Sequence, residues 1–340
     1  MSATVTHPVT EAEKPARRTP PRWVMLLGLT TGLGVILVVL LLVFIMPSLK
    51  SGPHGLPLGV VGSPAAVEQV DAGLGAAASD AYETRTFASE DALRTAIEER
   101  EVVGGFVVDG ADVHALVASA GSAVISSTVA ATGEALATAT GGAATVTDVV
   151  PLPEADPSGI GIGGLAFPLV FGGIVPAVAF RKVFATHLGW AVGGIATFAA
   201  VGGIATSAVL AFLFGSIAAT AFWPVAAAMA LGIAALALPL AGLQELFGGK
   251  GFTIGAMVMM FVGNPLAGIS TTGAWLPAGL GLIGQLLPPG AAGTLVRSAA
   301  YFGGAGGVTA GLTLAVWAGA GVLLLAAGAR RRRRAAAATA

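Results

Sequence analysis

Long uncharged apolar runs alternate with one block of short, mixed runs, and this alternation organises the chain. The first run, Trp23 to Ile45, is 23 residues long. At 1.5 Å per residue it spans roughly 30 Å of hydrocarbon, and Pro47 is expected to end it. Further apolar segments cover 159–180, 188–212, 218–243, 252 to about 269, and 307–327, giving six expected spans. A cleaved signal peptide is the competing reading of the first run. Its apolar region would be shorter, about 7–15 residues, and a small-x-small cleavage site would follow; neither fits here.

Between the first and second spans the period changes. Residues 51–157 carry short alternating or β-branched runs separated by capped helical stretches, the pattern of an α/β domain. Strands are expected at Leu56–Val61, Thr84–Ala88, Val102–Val108, Val113–Ala118 and Ala144–Leu152. Helices are expected from Pro64 to Leu74, from a Ser89 N-cap to Arg100, and from Ser122 to Thr138. Before the last span, 270–306 is apolar but broken by Pro277, Pro288, Pro289 and many glycines. Irregular apolar backbone at a membrane needs protein cover, so Trp275 to Leu287 reads as a re-entrant or interfacial helix, with Trp275 and Tyr301 at headgroup level.

Composition agrees with a membrane protein. The 340 residues are 55% hydrophobic and 10% charged, with a mean hydropathy of +0.85. Charge is unevenly spread, because 15 of the 18 acidic residues lie between Lys50 and Gly159. Basic residues orient the chain, since Lys and Arg are retained on the cytoplasmic side. Arg330 to Arg334 close the last span, Arg181 and Lys182 follow the second, and Lys250 follows the fourth. With both termini cytoplasmic, the α/β domain falls outside, and the location is the plasma (inner) membrane. The expected layout is a tail over 1–22, a span over 23–46, an extracytoplasmic domain over 51–157, five helices over 159–328 and a basic tail over 329–340.

Several chemistries lack their residues. There is no cysteine, hence no disulfide and no thiolate ligand. None of the four lysines, Lys14, Lys50, Lys182 and Lys250, sits in a Walker A pattern. Gly248-Gly-Lys-Gly251 reads as a tight turn. His7, His54, His114 and His187 have no ligand spacing, and no span carries near its middle the ionisable side chain that ion-coupled transporters normally place there, which leaves a Na⁺ site of backbone carbonyls as the one ion-coupled alternative. No catalytic, cofactor or metal site is expected, and no nucleic-acid partner; the arginine run serves topology, with lipid contact as a by-product.

An internal repeat marks the third span: Val192-Gly-Gly-Ile-Ala-Thr197 recurs at Val201-Gly-Gly-Ile-Ala-Thr206. Nine residues make two and a half turns. Gly193 and Gly194 therefore face away from Gly202 and Gly203, and each pair can admit a neighbouring helix closely.

Three stretches resemble the type-2 family of ATP-binding-cassette exporter permeases and the related phage-infection-protein (Pip) group. They are 91–108, where a helix leads to a strand, the domain exit Asp148-Val-Val-Pro-Leu-Pro-Glu-Ala-Asp156, and Gly263-Asn-Pro-Leu-Ala-Gly268 with Leu286-Leu-Pro-Pro-Gly290 and Arg297. The resemblance implies a homodimeric permease without ATPase activity of its own, exporting an amphipathic or lipid-like substrate and driven by a separate cytoplasmic ATP-binding subunit. Docking would fall on Arg181, Lys182, Val183, Phe184 and His187. The outer re-entrant segment would comprise Asn264, Pro265, Trp275, Pro288, Pro289 and Arg297. The Pip group implies the alternative, an envelope scaffold or receptor whose outer domain binds a ligand.

Overall fold

A computed structural model describes residues 21–77, 81–277 and 279–339. His7, Lys14, Arg17 and Arg18 lie outside the described residues. The chain is a polytopic helical membrane protein carrying a small α/β sheet. Five helical stretches among the described residues are long and apolar enough to cross a membrane: Arg22–Pro47, Ile160–Val183, Leu188–Leu213, Ala219–Gly263 and Val308–Ala338.

Among the described residues, 21–42 form a unit of their own. It is the greater part of α1 (Arg22–Leu49), an uninterrupted apolar helix whose large side chains, Leu26, Leu33 and Leu37 among them, are exposed. Pro47 does not end the helix as expected, which runs to Leu49. A proline this near a C-terminus removes only one helical hydrogen bond.

In the second unit the elements run β1 (Leu56–Val61), α2 (Pro64–Ala77), β2 (Tyr82–Thr86), α3 (Glu90–Glu98), β3 (Gly104–Asp109), β4 (Asp112–Val117), α4 (Ala123–Thr140) and β5 (Ala144–Asp148). The sheet order is β2-β1-β3-β4-β5, with only the β3–β4 pair antiparallel. Leu56, Leu58, Val60 and Phe106 face α2 and α4, while Leu116 faces α3, so both faces of the sheet are covered. Ser89 caps α3 by accepting from the Ala92 N–H at 3.2 Å, and Ser122 caps α4 from the Ile125 N–H at 3.3 Å. β2 begins two residues earlier than expected. β3 begins two residues later, because the Glu101 and Val102 N–H groups turn back to the Ala96 carbonyl that ends α3. β5 stops at Asp148, whose carboxylate takes the Ser119 N–H at 3.1 Å.

The helical part comprises α5 (Ile160–Gly163), α6 (Ala166–Val183), α7 (Leu188–Ala208), α8 (Phe222–Val258), α9 (Leu280–Leu286), α10 (Pro288–Tyr301) and α11 (Val308–Thr339). α8 is the axis of the bundle, with α6, α7, α10 and α11 packed on it. It is not straight: Gly248 has φ 70° and ψ −159°, a left-handed excursion that glycine permits. A Cβ on Gly255 would lie 2.6 Å from Leu243 Cδ1 and 2.9 Å from Leu240 Cδ2. A straight helix would hold positions 243 and 255 about 18 Å apart, so the chain folds back at Gly248 as an antiparallel hairpin. The far arm ends in a π-helical turn, Met259–Gly263.

Of the helix expected over Trp275 to Leu287, only Leu280–Leu286 is formed, as α9. A 3-10 turn at Gly273–Trp275 precedes α9, and α10 follows directly, within a stretch expected to be irregular. Pro288 and Pro289 occupy its first two positions, where an N–H would have no helical partner. Trp275 and Tyr301 do not stand free at an interface. Trp275 is buried in the sheet's core cluster beside Leu56 and Leu58, and Tyr301 packs against the helix bundle. Phe302 enters the core on the other face of the sheet, with Leu93 and Ile97. Two aromatic anchors thus join the α/β domain to the 270–306 segment.

Candidate functional site

A groove of about 810 Å³ lies on the flank of the bundle, between the first turns of α5–α6 and the end of α7. Gly164, Leu165 and Pro168 form one wall, and Thr206, Leu210 and Leu213 form the other. α7 ends in a π-helical turn, Val209–Leu213, whose extra residue per turn widens the helix there. The lining is apolar apart from Thr206, Asp156 and Ser216.

Asp156 fastens the head of this groove. One carboxylate oxygen accepts the Ile160 N–H at 2.8 Å and the other the Gly161 N–H at 2.7 Å. The approach is so close that a Cβ on Gly161 would sit 2.1 Å from Ser216 Oγ. Burial alone would raise the carboxyl's pKa, but hydrogen bonds from Gly161, Ser216, Ile160 and Gly159 outweigh it and hold the group below its ordinary value. Tyr301 closes the network by donating to the Ser216 carbonyl at 2.8 Å. With its oxygens engaged, Asp156 ties α5, the α7–α8 connection and α10 together and is not a free base.

At the other end of the bundle, a second polar cluster is buried. Glu245 on α8 has a fully buried side chain, with Arg181 of α6 on one carboxylate oxygen and Arg332 of α11 on the other. Of the residues expected to dock a partner, Arg181 is therefore an internal ion-pair residue. Lys182, Val183 and His187 are exposed. Phe184 is half-buried, stacked on Phe180 and Trp190 at centroid distances of 6.3 and 6.1 Å.

The four repeat glycines differ in what they admit. Gly194 abuts Phe180 of α6, and Gly203 lies against the α8 backbone, where a Cβ would meet the Ala226 carbonyl oxygen at 2.3 Å. Gly202 faces Ile233 at 3.2 Å, and Gly193 meets nothing within 4 Å. A further close crossing, of α8 with α11, was not legible as a motif. Cβ atoms on Gly242, Gly321 and Gly328 would collide with α11 or α8 at 2.4–2.6 Å, and the spacing of seven between Gly321 and Gly328 is its only trace in the sequence.

Asn264, Pro265 and Trp275 line one cavity of about 260 Å³, and Asn264 Oδ1 is buried without a partner among the described residues. Pro288 and Pro289 start α10 and are not among that cavity's lining residues, although a Cβ on Gly263 would meet Pro289 Cγ at 3.0 Å. Arg297 is buried and donates to the Thr271 carbonyl at 2.7 Å and to the Ile269 carbonyl, clamping the loop before α9. Arg100 was not singled out from the sequence and stands beside Phe302 in the same region.

No protein family, no curated protein and no solved structure matches this chain.

Proposed function

We propose that the protein is the membrane subunit of an exporter that takes an amphipathic or lipid-like substrate along its flank, driven by ATP hydrolysis in a separate cytoplasmic subunit. The groove between α6 and α7 carries this reading. It is apolar, has room for an acyl chain, and lies on the outside of the bundle, where a bilayer lipid could enter sideways.

In this reading the hairpin at Gly248 splits the 45-residue stretch into two spans, giving six in all. The arginine run and Lys250 then share the cytoplasmic side, and the α/β domain faces outward. The α9–α10 pair is re-entrant. Trp317, nine residues into α11, donates to the Leu286 carbonyl at 2.9 Å, so the turn between α9 and α10 reaches about 14 Å along that helix. The exposed face of α1 is offered to lipid or to a second copy in a homodimer. Lys182, Val183 and His187 are the docking surface for the ATP-binding subunit, with Arg181 as its internal anchor.

The test is binding of a fluorescent single-chain amphiphile to purified protein in phosphatidylcholine nanodiscs. Ala205→Trp and Thr206→Trp place an indole in the groove and are expected to abolish binding without lowering Tm. Unchanged binding would remove the groove from the reading. Recovery of an ATPase with tagged protein, lost in Lys182→Glu, tests the drive. A second reading, an envelope receptor whose outer domain takes a ligand, is favoured by the cavity at Arg100 described next.

A further inference from the structure

The turn that ends α3 is built for glycine and holds an arginine. The Arg100 N–H reaches the Ile97 carbonyl at 3.0 Å and the Glu101 N–H reaches the Ala96 carbonyl at 2.8 Å, the paired bonds of a Schellman ending. Arg100 has φ 62°, and among the described residues no other non-glycine has a positive φ. Ending a helix calls for no guanidinium, so the side chain itself needs a reason to be there.

That side chain is unsatisfied. Among the described residues the Arg100 guanidinium has no ion pair and no hydrogen bond. Its Nη1 is buried without a partner, and its Cζ stands 5.1 Å from the centre of the Phe302 ring. Burial pushes its pKa below the ordinary arginine value, the direction expected of a cation lacking a counter-charge. A second cation adds to the imbalance, because the buried Arg297 charge repels that of Arg100 and forms no ion pair among the described residues. Thr272 Oγ1 is likewise buried and unpartnered among the described residues.

Arg100, Thr272 and Ala274 line two adjoining cavities where the α/β domain meets the 270–306 segment. The inner, of about 170 Å³, includes Pro57, Ser122 and Phe302; the outer, of about 400 Å³, includes His54, Gln285 and Thr294. An inner volume of this size is roughly the share of five or six liquid waters. An arginine fork and a hydroxyl with a second positive charge behind them match an oxyanion, above all a phosphate that can carry two charges.

We propose that Arg100 and Thr272 form a binding site for a phosphate group at the junction of the α/β domain and the 270–306 segment, with Arg297 supplying supporting charge. The phosphate can belong to a free anion or to a lipid headgroup. The site does not rest on the exporter reading and would serve the receptor reading equally.

The experiment follows thermal unfolding of the full chain by tryptophan fluorescence. One arm uses an uncharged detergent with and without inorganic phosphate at constant ionic strength. The other uses phosphatidylcholine nanodiscs with and without phosphatidic acid. The decisive variant is Arg100→Gly, which suits the left-handed backbone and should melt no lower than the parent without phosphate. The parent is expected to gain Tm from phosphate or phosphatidic acid. Arg100→Gly should lose that gain and bind the responding phosphate at least tenfold more weakly, and Thr272→Val should lose part of it. A response to both sources or to free phosphate identifies a soluble-anion site; a response to phosphatidic acid alone identifies the headgroup. No response in the parent from either source, or an equal response in Arg100→Gly, overturns the proposal.

Discussion

Arg181 and Glu245, separated by 64 residues in sequence, meet in a buried ion pair that joins α6 to α8. Removing one partner from such a pair leaves an uncompensated buried charge, at a cost of about 3–5 kcal/mol. Glu245→Gln is therefore expected to lower the Tm of the purified protein strongly. Arg332→Gln, at a half-exposed position, should cost about 1 kcal/mol or less. The exchange Arg181→Glu with Glu245→Arg should recover part of the loss, which a double-mutant cycle would measure. Charge reversal at Arg181 alone is expected to disrupt the fold, so the proposed docking is better tested at Lys182.

The two faces of α7 give a second comparison. Gly203→Leu drives a side chain into the α8 backbone at the Ala226 carbonyl, and overpacking of this kind costs about 1–3 kcal/mol. Gly193→Ala meets open space and replaces a poor helix former, so its Tm should equal or exceed the parent's. Equal losses in both variants would show that the close α7–α8 approach is not what the glycines serve.

Asp156 makes stability pH-dependent in a known direction. Its folded pKa lies below the ordinary value, so its stabilisation is complete above the unfolded value of about 3.9 and is lost as pH falls through the folded pKa. At pH 7, Asp156→Asn should be less stable than the parent by about 1–3 kcal/mol. The gap should close below about pH 4. A gap independent of pH would show that the carboxylate's charge is not what fastens α5.

The absence of cysteine makes the span count directly measurable. Single cysteines replacing Glu68, Lys250 and Arg334 should label with an impermeant maleimide from two sides, Lys250→Cys and Arg334→Cys from the cytoplasm and Glu68→Cys from outside. Labelling of Lys250→Cys from the Glu68 side would remove the hairpin at Gly248 from the topology.

Features carried by a local signal were legible in the sequence. β1 has the bounds its alternation predicts, and Ser89 and Ser122 cap the helices they precede. The turn at Gly248-Gly-Lys-Gly251 falls where the glycines place it. What failed depends on partners distant in sequence. The start of β2 is set by parallel pairing with β1, from Leu56 opposite Tyr82. α10 was missed because two prolines read as breakers although a helix start accepts them. Arg181 read as a surface charge because its partner, Glu245, lies two helices away. Arg100 gave no signal at all, since its significance lies in a backbone conformation that sequence alone would assign to glycine.

The turn from α9 into α10 has a consequence for permeation. Its carbonyls are already engaged, Gly284 by the Leu287 N–H, Leu286 by Trp317 and Leu287 by the Ala291 N–H. Gln285 is spent on the Ala267 carbonyl and Thr294, and the two prolines remove donors that would otherwise seek water. An ion selectivity filter works by offering free carbonyls in place of a hydration shell. This turn has none of the three to offer; in the proposed exporter reading it would be a dry stopper, and a carried solute would have to pass beside it.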